Sequence, residues 1–199
     1  FAVFSLAAEL QRQGSPTPFI GILTRAEEVG FIGAIGHLEL GWLDPAKDNV
    51  ICVSLETSRT LPGALIGRGP VVRLGDKATV FDASVVELLT RVAQKKLSDR
   101  FQRRLMDGGT CEATVFVVYG FPAIGISIPL GNYHNQSFEG GPDSRGPLGP
   151  APEFVHTDDI SGMLELCCGL LAPGLPCWNV WTPRQRQMQS SYRHARKLL

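Results

Sequence analysis

The sequence has no surplus of charge: 19 Lys and Arg stand against 19 Asp and Glu in 199 residues. Binding to nucleic acid or to an anionic membrane rests on clustered Lys and Arg that neutralise phosphates, so neither is expected as the main activity. Charged residues of all kinds reach only 19% of the chain, below the quarter or so usual in soluble domains. No uninterrupted apolar run approaches the roughly 20 residues needed to cross a bilayer. No basic stretch precedes the apolar opening residues in the manner of a secretion signal. Cys-x-x-Cys pairs are also lacking. The five cysteines, at 52, 111, 167, 168 and 177, are an odd number set mostly in apolar stretches. They are expected as buried free thiols in a reducing compartment, the cytoplasm, rather than as disulfides or a zinc knuckle.

What the chain has in quantity is apolar side chains, 44%, with 22 Gly and 14 Pro. That content excludes disorder and supplies the core of one turn-rich domain. Helical and strand-like patterns alternate, which predicts an α/β fold: a three-layer α/β/α sandwich with a mixed, largely parallel sheet. The opening residues Phe1 to Leu10 read as a buried helix that ends at Gly14-Ser15-Pro16. It begins so abruptly that the chain is expected to be the C-terminal part of something longer. Strands are predicted at Phe19 to Thr24, Val50 to Leu55, Pro70 to Leu74 and Ala123 to Ile128, the last ended by Pro129. A short helical or loop segment is expected around 31–41 and a mixed segment from 110 to Tyr119. The clearest helix runs from Ser84 to Lys96, where Ser84 and Glu87 have capping-box spacing. Residues 139–152 hold eight Gly or Pro in fourteen and predict an exposed loop. A last helix is expected from about Asp158 to Leu171, capped by Thr157 or Asp158. The division expected is a body at 1–172 and a tail at 173–199, basic and free of acidic residues, read as a solvated helix rather than a nucleic-acid arm.

Ligands of open α/β sheets bind beyond strand ends, so polar residues just after apolar runs are the candidates. Glu27-Glu28 follow the strand ending near Thr24, Glu56 ends the run from Val50 to Leu55, and His134 follows the strand that ends at Pro129. Carboxylates and an imidazole converging from separate strands would suit zinc, cobalt or manganese. Adjacent glutamates can divide the work, one binding metal and one holding the attacking water. The plain alternatives are a solvated surface pair for Glu27-Glu28 and a structural residue for His134.

Ala26-Glu27-Glu28-Val29-Gly30-Phe31-Ile32-Gly33-Ala34 resembles the EEVGxxGA segment of the glutamyl and tetrahedral (TET) aminopeptidase family. Later segments follow in the family's order. Glu56 lies where that family has a metal-binding Asp; Gly67-Arg68-Gly69-Pro70 resembles GxGP; Asp107-Gly108-Gly109-Thr110 resembles the GGT turn. Ile126 to His134 resembles xSIPxRYxH, whose His binds metal. The resemblance implies a zinc aminopeptidase fold and hydrolysis of peptides or small amides at a centre of two divalent metal ions. Zinc is the ion implied, with cobalt or manganese as alternatives, and homo-oligomers are implied as well. Residue by residue it implies Glu27 as general base, Glu28, Glu56 and His134 as metal ligands, and Gly108, Gly109 and Thr110 bordering the substrate. Two departures stand out: Glu56 replaces Asp, and Cys111-Glu112 stands where relatives carry Asp or Asn followed by Ala. The family centre also takes a His and a bridging Asp from positions before the helix that matches residues 1–13. His37 and His156 are spare imidazoles. A related deacylase of N-acyl amino acids and a non-catalytic α/β module are the competing expectations.

Overall fold

A computed structural model describes residues 1–14, 18–138, 147–172, 175 and 180–196. The first helix, α1 (Ala2–Gln13), closes on Gly14. Residues 18–24 follow, and the strand expected there is absent: they pair with no other strand among the described residues. Phe19 and Ile22 rest on the core while Ile20 and Leu23 face outward. Next come α2 (Ile32–Glu39), β1 (Cys52–Arg59), β2 (Val71–Asp76) and α3 (Ala83–Leu97). They are followed by β3 (Gln102–Met106), which the sequence reading missed, and by α4 (Glu112–Val118). β4 (Ala123–Leu130), the short pair β5 (Gln136–Phe138) and β6 (Pro147–Pro150), α5 (Thr157–Leu170) and α6 (Thr182–Ala195) complete the order. Of the Gly- and Pro-rich segment at 139–152, residues 139–146 lie outside the described residues. Residues 147–150 are strand, paired antiparallel with β5, and not loop.

The main sheet has the order β1-β4-β2-β3. β1 runs parallel to β4 and β2 parallel to β3, while β2 meets β4 antiparallel. Every residue of β4 is buried, so both faces of the sheet's interior are covered, as a three-layer sandwich requires. Pro129 does not end β4, which continues to Leu130 opposite Arg59. The ladder with β2 reaches only from Gly125 to Ser127, so the missing proline N–H falls where β4 has one neighbour and costs little.

Two caps differ from expectation. Helix α3 starts one residue before Ser84, and Asp82 is its cap, its carboxylate accepting from the Ser84 and Val85 N–H groups. An ionised side chain one residue before the helix accepts those donors better than the serine hydroxyl. Helix α5 is capped by His156, whose Nδ1 accepts from the Asp158 N–H at 3.2 Å, and not by Thr157 or Asp158. Helix α6 has no buried residue. Cys52, Cys111, Cys167 and Cys168 are free thiols, and no described helix is long and apolar enough to cross a membrane.

Candidate active site

The pattern along β4 sets up one polar face inside the sheet. Large and small residues alternate, Ile124, Ile126 and Ile128 against Ala123, Gly125 and Ser127. The small set leaves room above it. In the β1–β4 register Ser54 lies beside Gly125, Glu56 beside Ser127 and Ser58 beside Pro129. On the other flank Arg73 lies beside Gly125. Paired residues point to the same side, so Ser54, Glu56, Ser58, Ser127 and Arg73 share a face. Glu56 does not end a strand as expected; β1 runs on to Arg59 and places it in the strand interior.

Burial raises the Glu56 carboxyl above the ordinary glutamate range, and the charges of Glu112 and Asp76 push the same way. The Ser54 hydroxyl, donating to Glu56 Oε1 at 2.5 Å, and the Arg73 guanidinium oppose the rise without cancelling it. Glu27 is raised too, first by burial and then by the negative charges of Glu56, Glu28 and Glu112, with Arg73 again opposing. The structure therefore brings Glu27 into the field of Glu56, although they lie far apart in sequence. Asp76 behaves oppositely. Burial works against its ionisation, but the Thr114 hydroxyl and the N–H groups of Thr79, Ala78 and Cys111 outweigh that and hold it below the ordinary range.

The backbone is strained where the sequence pointed. Among the described residues, the non-glycine residues in the left-handed region are Ala26, Phe31, Ser98, Asn132, His134 and Asn135. All but Ser98 lie in the Glu27-Glu28 loop or around His134. Such residues cost on the order of 1–3 kcal/mol each and collect at functional sites. Ala26 and Phe31 bracket the Glu27-Glu28 turn, which is closed by N–H groups of Gly30 and Phe31 donating to the Glu27 carbonyl at 3.1 and 3.0 Å.

His134 follows β4 as expected, and its neighbour Tyr133 feels the charges of Glu28 and Glu27. Its ring, however, stacks on Tyr133 at 4.0 Å between centroids, and its backbone N–H donates to Glu153 Oε1 at 2.8 Å. Gly108, Gly109 and Thr110 are exposed between β3 and α4, with the Gly109 carbonyl accepting from the Lys77 N–H at 3.0 Å. His37 meets Trp42 edge-on, and His156 is occupied as the α5 cap. Sequence reading missed Arg73, Ser58, Ser127 and Asp76, and noted Glu112 only as a departure from the family pattern. An arginine inside the apolar run Pro70 to Leu74, and the small residues alternating along β4, were the available signals.

The carboxylates suit a divalent cation in chemistry, since their crowded charge is what such an ion relieves. Yet among the described residues no three His, Cys, Asp or Glu side chains are placed to hold a metal ion together. Glu28, Glu56 and His134 as they stand do not amount to a metal centre.

Comparison with known proteins places this geometry. The family model of the M42 glutamyl aminopeptidases matches residues 1–138. The chain belongs to this family. No curated protein sequence matches it. Solved structures with the same fold include a TET aminopeptidase from a marine-sediment Thaumarchaeota archaeon. Its TM-score is 0.66 at 20% identity, with 87% of this chain and 46% of that one covered. The TET1 peptidase of Pyrococcus horikoshii, described as assembling into a tetrahedron or a large octahedral shell, gives 0.54 at 17% identity, with 73% and 38% covered. An aminopeptidase from the archaeon Desulfurococcus kamchatkensis gives 0.54 at 24%, with 78% and 41% covered. The chain spans less than half the length of these relatives. Its M42 match contains every proposed site residue, from Glu27 to His134.

Proposed function

We propose that the chain forms part of the catalytic body of a metal-dependent aminopeptidase that removes N-terminal residues from short peptides. Family membership and the site's carboxylates support this reading. The observation that carries it is the Glu27-Glu28 turn, strained on both sides and held in the field of Glu56. Glu27 is the general base: its carboxylate accepts a proton from the attacking water and returns it to the leaving amine, a role that a raised carboxyl suits. Glu28, Glu56 and His134 are this chain's contribution to a centre of two divalent ions, zinc by preference, rather than a centre in themselves. Gly108, Gly109 and Thr110 border the substrate, and assembly into homo-oligomers in the cytoplasm completes the proposal.

The test is Glu27→Gln in the protein assayed with aminoacyl-anilides. Turnover falls by about 10²- to 10⁴-fold while the thermal melt stays cooperative. Undiminished hydrolysis by the variant refutes the role. Elemental analysis of the full-length protein is a second test: about two metal ions per full-length chain support the hydrolase, and none refutes it.

A further inference from the structure

A charged side chain buried across a sheet needs both a path and a purpose. Arg73 is only 4% exposed. It starts on β2, and β4 lies between β2 and β1, yet its Nη1 donates to the Ser58 hydroxyl of β1 at 3.3 Å. The path over β4 is Gly125. A Cβ on that residue would come within 2.7 Å of Arg73 Cδ and 3.3 Å of its Nε. No side chain larger than hydrogen leaves the crossing open. Arg73 Nε and the Ser127 hydroxyl, both deeply buried, have no hydrogen-bond partner among the described residues. Glu56 stands between Ser54 and Ser58 on β1, on the same face and beside Ser127. A buried guanidinium without a carboxylate in reach of its charge would cost several kcal/mol.

We propose that Arg73 is a positioning residue for Glu56: carried over β4 through the gap at Gly125 and anchored on Ser58, its guanidinium holds the β1 carboxylate on the polar face of the sheet. The proposal rests on the reading of Glu56 as a site residue. Arg73 acts by charge and placement rather than by touching substrate. Gly125 belongs to the same device, since of the small residues on this face of β4 it is the one whose Cβ would meet the Arg73 side chain. The Ser54 hydroxyl fixes the near oxygen of Glu56, and Arg73 sets the field in which the carboxylate lies.

A double-mutant cycle on unfolding stability tests this without reference to activity. Arg73→Met, Glu56→Gln and the double variant are compared with wild type at pH 7 by urea titration. Gln matches Glu in shape, so a space-filling role for Arg73 predicts the same penalty in both backgrounds. The proposal expects Arg73→Met to shift the unfolding equilibrium constant at least about fivefold less in the Glu56→Gln background, the coupling scale of neighbouring groups. Equal penalties overturn it. If Arg73→Met does not fold, Arg73→Gln, which removes the charge and keeps a polar arm, takes its place in the same cycle. Gly125→Ala is the second probe. It destabilises the wild type and is better tolerated once Arg73 is Met; an unchanged cost there also overturns the proposal. In the anilide assay Arg73→Lys lowers kcat with little change in KM. A full-length wild type that hydrolyses no substrate refutes the aminopeptidase reading, while the stability cycle decides the role of Arg73 by itself.

Discussion

Replacing Asp159 by Asn removes one formal charge and almost no volume, and it is expected to be among the most damaging conservative changes in the chain. Asp159 is fully buried in the first turn of α5. Its Oδ2 accepts from the Gly67 N–H at 2.8 Å and its Oδ1 from the Gly69 N–H at 2.7 Å. This one carboxylate ties down the Gly67-Arg68-Gly69-Pro70 turn that feeds β2 and hence Arg73. Asparagine can satisfy only one of the two donors, because its amide nitrogen is itself a donor. A hydrogen bond to a charged acceptor contributes about 1.5–3 kcal/mol, and the bond that survives loses its charge assistance. The sum is about 3 kcal/mol. For a chain of this size that corresponds to a drop in Tm of about 6–12 °C. The exposed neighbour Asp158 is the control, since surface changes stay within about 0.5 kcal/mol. Thermal and urea unfolding of Asp159→Asn and Asp158→Asn decide the matter. A loss below about 1 kcal/mol for Asp159→Asn would refute the claim that the turn hangs on this carboxylate.

Asp76, held below its ordinary range by four hydrogen bonds that outweigh burial, supplies stability at neutral pH. That stability is lost as pH falls below about 4 and through the lowered value. Asp76→Asn therefore costs about 2–4 kcal/mol at pH 7, with the gap to wild type closing in acid; melts across pH 2–7 check it. Gly69 has φ +87° and a Cβ there would lie 1.9 Å from the Arg100 carbonyl oxygen. Gly69→Ala is expected to lose more than about 3 kcal/mol in urea unfolding. Gly108→Ala, where a Cβ meets nothing within 4 Å, changes stability by less than about 0.5 kcal/mol, so a loss of the proposed peptidase activity would report on substrate contact.

The parts of the fold legible in the sequence are those where local pattern and tertiary demand agree. Helix α3 shows its apolar stripe in Val85, Val86, Leu88, Leu89, Val92 and Ala93, all buried in the core. β4 shows its burial in the isoleucines. Strand β3 was missed because Gln102-Arg103-Arg104-Leu105-Met106 alternates weakly: only Met106 is buried, at the edge of the sheet. Its order comes from pairing with β2, which no local window contains. Phe19 to Thr24 fails in the opposite way. Its composition is that of a buried strand, but extended backbone becomes a strand only beside another strand, and no described residue lies there to pair with it.

The candidate site shows the same limit at the level of single side chains. Motif order picked out Glu27, Glu28, Glu56 and His134, and two of the segments they occupy carry nearly all the strained non-glycine backbone. Motif order is blind to what lies opposite them. Burial of Glu56 inside a sheet is opposed first by the Ser54 hydroxyl and then by a cation delivered from β2, two strands away, past a glycine in β4 that permits the crossing. Each residue gives only a weak signal in its own window. Arg73 in a surface strand would be a solvated charge, and Gly125 in a loop would be a turn. Only the register, placing Ser54 and Arg73 on either side of Gly125, turns them into one device. A carboxylate site inside a sheet thus requires its counter-charge to be built into the same face, and a change at Gly125 should reach Glu56 without touching it.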